Sequence, residues 1–197
     1  KKQFGLIGRN INYSFSRNFF LEKFGSDEKF VDFNYRNYDI NSIEDVKSVF
    51  NQNSICGLNV TIPYKEEILG YLDKISNQAK EIGSVNTICF ENGKKVGYNT
   101  DIHGFTESLK VNKIDNIDSV LILGTGGAAK TISYFCKKNS IPYSLVSRQS
   151  SNLNLTYNDL NENLFSKKVL IVNCTPVGTF PKINSCPELP YELIKKE

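Results

Sequence analysis

A lysine and an aspartate are the two charged residues whose type and position best suit them to move a proton. Lys65 is the last residue of the stretch NVTIPYK and Asp101 is the last residue of NTD, and each stretch lies at the end of a predicted strand. In a dry cleft, such a pair can transfer a proton and stabilise a developing negative charge. The alternative is that Lys65 is an exposed residue of a first helical turn, with Glu66 and Glu67 solvated beside it.

Hydroxyl and amide side chains recur where the predicted strands end. The stretches concerned are YSFS (13–16), NVTIPYK (59–65), SVNT (84–87) and NTD (99–101). Because the carboxyl ends of strands form the ligand crevice of an open α/β sheet, these stretches are expected to converge. Together they indicate one small, hydroxylated, anionic ligand, although any one stretch taken alone could merely cap a turn.

The expected ligand-binding side chains follow from this chemistry. A carboxylate on the ligand would accept hydrogen bonds from Ser14 and Ser16. Hydroxyl groups on the ligand would bond to Asn59, Thr61 and Asn86. The prediction is a polar pocket whose charged members are the lysine and the aspartate described above.

A glycine-rich turn follows the apolar run SVLILG (119–124) and precedes a helical pattern. Its residues are Gly124, Thr125, Gly126, Gly127, Ala128 and Ala129, which fit G-x-G-x-x-A. In such a turn the first glycine allows a tight bend, the second lets the backbone approach a pyrophosphate, and the alanine keeps helix and strand close. Free N–H groups and the helix dipole then hold the anion. The alternative is a glycine turn in an α/β protein that binds no nucleotide.

Arg148 indicates which dinucleotide this turn would bind. NAD sites place an acidic residue at the end of the second strand, where it bonds to the ribose hydroxyls. Here that position reads LVSRQSS, with Ser147 and Arg148 and no carboxylate to repel a 2′-phosphate. Since a guanidinium can bind a phosphate bidentately, NADP is favoured, and a solvated loop arginine is the alternative.

The elements that must position these groups alternate between strands and helices. Strands are predicted at 4–8, 30–35, 55–60, 119–124, 143–146 and 169–173, and helices at 15–24, 42–50, 65–72, 76–82 and 156–165, with another directly after the glycine turn. Residues 84–101 form a predicted hairpin around Asn92-Gly93. The regular alternation after residue 119 is typical of a doubly wound α/β domain, which places a domain boundary near residue 100.

Composition argues against several other classes of protein. The 197 residues are 40% hydrophobic and 23% charged, as in ordinary globular chains. No apolar stretch approaches the roughly 18 to 20 residues that cross a bilayer. A net charge of +3 without a basic stripe argues against nucleic-acid binding, and a single histidine with five scattered cysteines argues against a metal site or a disulfide framework. We therefore expect a cytoplasmic protein with buried, reduced thiols.

The motifs, in order, resemble those of the shikimate dehydrogenase family over nearly the whole chain. The matching segments are GLIGRNINYSFS, GLNVTIPYKE, IGSVNTI, GYNTDIHGF, GTGGAAK and NCTPVG. The resemblance implies NADPH-dependent, reversible reduction of 3-dehydroshikimate to shikimate, within aromatic amino-acid biosynthesis. It also implies an α/β fold with an N-terminal substrate domain (1–100), a Rossmann-like NADP-binding domain (101–197) and a cleft between them.

The resemblance also implies roles for individual residues. Carried over by motif, it makes Lys65 and Asp101 the catalytic pair and places Thr175 near the nicotinamide. It assigns substrate binding to the five polar side chains named above, and NADP binding to the glycine turn and Arg148. The partner would be this small-molecule substrate, with no nucleic acid, membrane or metal, in a monomer or a homodimer.

Some positions depart from the family pattern. Where the family commonly has Gly-x-Pro, a His before the first serine and a Pro after the second, this chain has Gly8-Arg9-Asn10, Tyr13 and Arg17. The family also continues beyond PELPYELIKKE, so the second domain is expected to be incomplete. Two alternatives stay open: a quinate/shikimate dehydrogenase of broader specificity, and a non-catalytic remnant that binds NADP and shikimate.

Overall fold

The computed structural model describes residues 1–194, which form two compact units. The first unit comprises Lys1–Thr100, and the second begins at Asp101. The last residues of the predicted second domain, 195–197, lie outside the described residues. Each unit has its own sheet and hydrophobic core.

A six-stranded mixed sheet organises the first unit. Its strands are β1 Lys2–Gly8, β2 Phe33–Asp39, β3 Ile55–Val60, β4 Lys74–Ile75, β5 Thr87–Glu91 and β6 Lys94–Tyr98. They lie in the order β2-β1-β3-β5-β6-β4. β1 is parallel to β2 and β3, whereas β5 is antiparallel to both β3 and β6. The first residues of β5 therefore lie at the edge where β3 and β6 end.

Helices cover this sheet. They are α1 Phe15–Gly25, α2 Val46–Phe50 and α3 Asn77–Ile82, with 3-10 helices at Glu28–Phe30, Ile43–Asp45 and Glu67–Tyr71. Because alternate residues of a strand face opposite sides, Leu6 and Tyr35 pack with the aromatic residues of α1, while Ile7 and Tyr38 join the larger core.

The predicted caps and the predicted hairpin turn are confirmed where they depend on residues only a few positions apart. Ser42 and Asp45 form a capping box, and Ser76 caps α3 by accepting a hydrogen bond from Ala79 N at 3.2 Å. Asn92-Gly93 forms the hairpin turn, with φ values of 51° and 75°.

Two elements of the first unit differ from prediction. The predicted helix 65–72 is a 3-10 helix over Glu67–Tyr71, because Gly70 is a poor helix former and a strand follows at Lys74. The predicted strand 30–35 begins only at Phe33, since Asp27 caps the 3-10 turn before it. The strand then runs on to Asp39 along a sheet edge, where polar side chains are tolerated.

Within residues 101–194, a parallel four-stranded sheet organises the second unit. Its strands are β7 Ser119–Leu123, β8 Tyr143–Ser147, β9 Leu155–Thr156 and β10 Val169–Asn173, and its α-helices are α4 Asp101–Val111 and α5 Gly127–Lys138. The strand order is β10-β7-β8-β9. The order therefore reverses between β7 and β10, which is the switch point where open α/β sheets bind ligands.

The central strand and one helix form the core of this unit. The β7 residues Val120, Leu121, Ile122 and Leu123 are exposed by 3% or less, as expected for a strand covered on both faces. Phe135 of α5 meets Phe105 of α4 edge-on, with ring centroids 5.1 Å apart. This contact packs α4 against α5 within the second unit.

The predicted helix 156–165 is wrong. The segment contains the end of β9 and two 3-10 helices, Tyr157–Asp159 and Glu162–Phe165. Asp159 Oδ2 accepts hydrogen bonds from the backbone N–H and the hydroxyl of Thr156, both at 2.7 Å. Asn161 caps the second turn, because its Oδ1 accepts a hydrogen bond from Asn163 N at 3.1 Å. Such side-chain bonds compete with helical backbone bonds, so this Asn- and Asp-rich segment forms two short turns.

The expectation of buried thiols is wrong for four of the five cysteines. The described residues include all five cysteines, each with a free thiol, but only Cys136 is buried and Cys186 is exposed. Burial raises the pKa of Cys136 to about 11. Across the described chain, no helix is long and apolar enough to cross a membrane, and no cluster of three His, Cys, Asp or Glu side chains could hold a metal ion.

Candidate active site

Backbone hydrogen bonds gather several strand ends at one edge of the first sheet. Thr61 N donates to Ile7 O over 2.9 Å, next to the end of β1. Val60 N donates to Asn86 O over 2.8 Å, and Asn86 N donates to Tyr98 O over 3.0 Å. As a result, the polar residues beside β1, β3, β5 and β6 lie side by side.

Two polar residues of this edge differ in how they relate to the strands. Asn86 precedes β5 instead of following a strand, whereas Asn59 lies in the last part of β3, as the predicted strand 55–60 has it. The convergence survives because β5 is antiparallel to β3, so that Thr87 at the start of β5 pairs with Asn59.

Ser14 and Ser16 lie at the N-terminus of α1, not at a strand end. Ser14 caps the helix, and its Oγ accepts a hydrogen bond from Ser16 N at 3.3 Å. Both serines are half-buried. All residues in the first turn of α1 are described by the structure, and none of them is acidic. Since N–H groups at a helix N-terminus attract anions, this position suits the predicted contact with a carboxylate.

The turn before Ser14 has a backbone that proline could not adopt. Asn10 has a φ of 56°, and its N–H donates to Asp39 Oδ1 at 2.8 Å. The N–H of Ile11 donates to Asp39 Oδ2 at 3.1 Å. Proline fixes φ near −65° and lacks an N–H, so a Gly-x-Pro sequence could not form this turn. In this chain, the carboxylate of Asp39 holds the turn instead.

Asn59 lies in a row of hydrogen-bonded side chains. Tyr35 donates its hydroxyl to Asn59 Oδ1 at 2.8 Å, and Asn59 Nδ2 makes a long contact of 3.5 Å with Thr87 Oγ1. Thr87 in turn donates to Asn86 Oδ1 at 3.1 Å. The row links the two predicted substrate-binding amides and fixes their relative orientation.

Asn86 joins the start of β5 to the segment after β6. Its Oδ1 accepts a hydrogen bond from Thr100 N at 2.8 Å, and its Nδ2 donates to Thr100 Oγ1 at 2.9 Å. The side chain is only 8% exposed, so these bonds are shielded from water. Asn86 therefore positions the residue directly before Asp101, in addition to its predicted contact with the ligand.

Lys65 and Asp101 belong to different units. Lys65 is half-buried, and its carbonyl accepts a hydrogen bond from Val85 N at 2.8 Å, next to Asn86 in the chain. Asp101 is half-buried and is the first residue of α4, where the helix dipole favours a negative charge. The action of these two groups as a pair stays a prediction.

The glycine turn lies at the switch point of the second sheet. Gly124 has a φ of 108°, a conformation that residues with a side chain disfavour. A Cβ at this position would lie 3.2 Å from Thr175 Cγ2 and 3.3 Å from the carbonyl carbon of Cys174. Gly124 and Thr175 are thus neighbours at the carboxyl ends of β7 and β10.

The first turn of α5 fits a pyrophosphate. Gly126 is the N-cap of α5, and within the described chain no side chain caps it. A Cβ built on Gly126 meets no described atom within 4 Å, so the approach to the helix N-terminus is open. Thr125 is exposed and Gly127 and Ala128 are half-buried, whereas Ala129 is buried. A dinucleotide pyrophosphate binds to free backbone N–H groups that it can reach, and the N-terminus of α5 offers such groups.

Arg148 is exposed and follows β8 directly. The loop beyond it is held by Asn154, whose Nδ2 donates to Ser147 Oγ at 2.9 Å and to Gln149 O at 2.8 Å. This is the end of the second strand, where the residue that reads the ribose is expected. The contact between Arg148 and a 2′-phosphate stays a prediction.

The hydroxyl of Thr175 shapes the turn after β10. It donates to Asn173 Oδ1 at 2.6 Å and accepts a hydrogen bond from Val177 N at 3.2 Å. The methyl group of Thr175 lies beside Gly124. Thr175 therefore has an internal role at this position, and its place near a nicotinamide stays a prediction.

Tyr35 and Thr100 hydrogen-bond to predicted substrate-binding residues, and sequence analysis missed both. From the sequence, Tyr35 looks like an ordinary aromatic residue of the core. The local signal that it shares a strand face with polar residues is its alternation with Asn37 and Asp39. Thr100 bonds to Asn86, which lies fourteen residues earlier in the chain. No local pattern connects residues at that separation.

Comparisons with known proteins agree along nearly the whole chain. The family model for the shikimate dehydrogenase substrate binding domain matches residues 6–88. A shikimate dehydrogenase (NADP(+)) from Methanococcus vannielii is 37% identical, in an alignment that covers 98% of this chain and 74% of the relative.

Solved structures give the same result. Shikimate dehydrogenase 1 from Peptoclostridium difficile superposes with a TM-score of 0.79 at 34% identity, over 95% of this chain and 72% of that one. Shikimate 5-dehydrogenase from Thermus thermophilus, in complex with NADP(H) and shikimate, superposes with a TM-score of 0.81 at 27% identity, over 100% of this chain and 76% of that one. The predicted α/β fold class is thereby confirmed.

Proposed function

The chain belongs to the shikimate dehydrogenase family, and we propose that it catalyses the NADPH-dependent, reversible reduction of 3-dehydroshikimate to shikimate. The observation that carries this proposal is the polar edge of the first sheet, where Asn59, Thr61 and Asn86 lie side by side. Such an edge suits a ring with several hydroxyl groups. The reaction belongs to the shikimate pathway, which leads to the aromatic amino acids.

The substrate carries a carboxylate and hydroxyl groups, and the first unit offers a partner for each. Ser14 and Ser16 bind the carboxylate at the N-terminus of α1, where the helix dipole favours an anion. The hydroxyl groups bond to Asn59, Thr61 and Asn86. Two of these three are held by internal hydrogen bonds, which lowers the entropic cost of ordering them on binding.

Lys65 and Asp101 perform the proton chemistry of the proposed reaction. When bound, NADPH supplies a hydride to the ketone carbon of 3-dehydroshikimate. Negative charge then grows on the ketone oxygen, and the ammonium of Lys65 stabilises that charge and donates a proton to the oxygen. The carboxylate of Asp101, the second member of the proposed catalytic pair, accepts a hydrogen bond from a substrate hydroxyl. In the reverse direction, the amine of Lys65 takes the proton from the shikimate hydroxyl.

The second unit holds the cofactor in this proposal. The turn from Gly124 to Ala129 binds the pyrophosphate through backbone N–H groups, and Arg148 binds the 2′-phosphate. Thr175 lies near the nicotinamide. The uncapped N-terminus of α5 supports the first of these assignments, and the exposed position after β8 supports the second.

Initial rates of NADPH oxidation with 3-dehydroshikimate test the proposed function. Parallel assays with shikimate and with quinate, each with NADP⁺, define the substrate. We expect turnover of shikimate at a rate well above that of quinate. Comparable rates on both would indicate a broader quinate/shikimate dehydrogenase, and NADPH binding without any turnover would indicate a binding protein.

We further propose that the enzyme works in the cytoplasm, as a monomer or a homodimer. Its five free thiols, of which Cys186 is exposed, suit a reducing compartment. Cell fractionation tests the location, and light scattering on the purified protein measures the oligomeric state.

Arg148→Ser is expected to raise the KM for NADPH by about ten- to hundredfold, because charge-assisted hydrogen bonds are worth roughly 1.5–3 kcal/mol. The KM for NADH should stay nearly constant, since NADH lacks the 2′-phosphate. The measurement is the ratio of kcat/KM values for the two cofactors.

Lys137→Ala is the matched control for Arg148→Ser. It removes another exposed cation of the second unit, from the last turn of α5, at the helix end opposite the glycine turn. It should leave the cofactor preference unchanged. If Arg148→Ser lowers kcat/KM equally for NADPH and NADH, Arg148 attracts both cofactors by its charge and does not recognise the 2′-phosphate.

A further inference from the structure

One face of β2 carries polar side chains that bond to the surroundings of the substrate site. Tyr35, Asn37 and Asp39 alternate along the strand and therefore face the same side of the sheet. Tyr35 donates to Asn59, and Asp39 holds the turn before Ser14. The function proposed above assigns none of these three side chains to substrate binding, cofactor binding or proton transfer.

Tyr35 is a rigidly held hydrogen-bond donor. Its side chain is 3% exposed, and its ring stacks on Phe20 with centroids 4.6 Å apart and an interplanar angle of 14°. Burial raises the pKa of the Tyr35 hydroxyl, which therefore stays protonated across the physiological range. The hydroxyl lies 2.8 Å from Asn59 Oδ1.

This bond decides how the Asn59 amide is oriented. An asparagine side chain carries an acceptor oxygen and a nitrogen with two N–H donors. With Oδ1 bonded to Tyr35, Nδ2 points toward Thr87, and the contact of 3.5 Å between them uses one N–H at most. Asn59 is thereby set to meet a ligand oxygen as a donor.

A packing role explains the bond less well. β1 lies between β2 and β3 and pairs with both along the backbone, so a side-chain link across β1 adds little to the cohesion of the sheet. Asparagine is also disfavoured inside strands, and Asn59 lies between the buried residues Leu58 and Val60. An oriented amide at this position fits contact with a ligand.

We propose that Tyr35 is a positioning residue, whose hydroxyl orients the Asn59 amide so that its N–H group meets an oxygen of the substrate. The inference rests on the proposed function, because it takes shikimate or 3-dehydroshikimate as the ligand. Tyr35 acts through Asn59 and makes no contact with the substrate itself.

Tyr35→Phe tests this role, since it removes the hydroxyl and keeps the ring that stacks on Phe20. The KM and the calorimetric Kd for shikimate should rise about three- to tenfold, the effect of one lost hydrogen bond. The kcat and the KM for NADP⁺ should stay within about twofold, because the contact is made equally in the ground state and the transition state.

Tyr38→Phe is the matched control, because it removes a hydroxyl from the opposite face of the same strand. Tyr38 is 8% exposed, and its hydroxyl donates to Gln52 Oε1 at 3.3 Å, in the larger core. The two variants should lose similar thermal stability, whereas only Tyr35→Phe should weaken shikimate binding. Equal effects of the two variants on the Kd would overturn the inference.

A double-mutant cycle with Asn59→Ala gives the decisive result. If Tyr35 acts through Asn59, Tyr35→Phe adds no further loss of shikimate affinity in the Asn59→Ala background. Additive losses, or an unchanged KM in Tyr35→Phe, would refute the positioning role. A wild-type chain that neither binds nor oxidises shikimate would refute the proposed function and this inference together, whereas normal wild-type turnover with an unaffected Tyr35→Phe variant would refute the inference alone.

Discussion

Lys65→Ala is expected to lower kcat for the reduction of 3-dehydroshikimate by on the order of 100- to 1000-fold, the usual effect of losing a preorganised donor to a developing oxyanion. The KM should move less, because the ammonium acts most strongly as charge grows on the ketone oxygen. Initial rates at saturating NADPH measure both quantities.

The fold offers a control for this variant. The backbone bond from Val85 N to Lys65 O does not depend on the side chain, so thermal unfolding should change little. Lys74→Ala removes an exposed lysine of the same unit and should leave kcat within about twofold, as surface substitutions usually do. A Lys65→Ala enzyme with more than about a tenth of the wild-type kcat would remove Lys65 from the mechanism.

Gly126→Ala should weaken NADPH binding by about ten- to hundredfold while the protein remains as stable as the wild type. The added methyl group meets no described protein atom within 4 Å, and the backbone at Gly126, with φ −80° and ψ −170°, suits any residue. The methyl would instead occupy the space where the pyrophosphate must approach, and a steric conflict of this kind costs about 1–3 kcal/mol. Calorimetric titration with NADPH and thermal unfolding measure the two effects separately.

Alanine substitutions at two other glycines serve as comparisons for Gly126→Ala. Gly124→Ala should lose stability as well as binding, because its φ of 108° and the nearby Thr175 both oppose a side chain. Gly25→Ala also adds a methyl group in open space, at the end of α1 in the other unit, and should leave NADPH affinity unchanged. If Gly126→Ala binds NADPH as tightly as the wild type, the turn has no close contact with a pyrophosphate.

We expect Gly124→Ala to lose both stability and NADPH affinity, and Gly126→Ala to lose affinity alone. That result would show that the two glycines are required for different reasons. The fold requires glycine at position 124, where the chain turns beside the segment after β10. In the proposed function, the ligand requires it at position 126, where no described protein atom lies within 4 Å of an added Cβ. The G-x-G-x-x-A pattern does not distinguish these reasons, but the surroundings of each glycine do.

Elements with strong local signals were predictable from the sequence alone. The run SVLILG predicts a buried strand, and the structure has β7 at Ser119–Leu123. Asn92-Gly93 predicts a hairpin turn, and Ser42 with Asp45 predicts a cap, because each depends on residues only a few positions apart. The helix predicted at 156–165 fails for a local reason as well, since its Asp and Asn side chains bond to nearby backbone groups.

The sequence by itself determined the family and the residue types that carry the proposed chemistry, because these are written in short motifs. Only the tertiary structure decided which of those residues meet. Asn86 reaches the edge beside Asn59 because β5 is antiparallel, and the Tyr35 hydroxyl reaches Asn59 from twenty-four residues away. Strand order and direction are set by the burial of the whole core, which no short stretch of sequence contains.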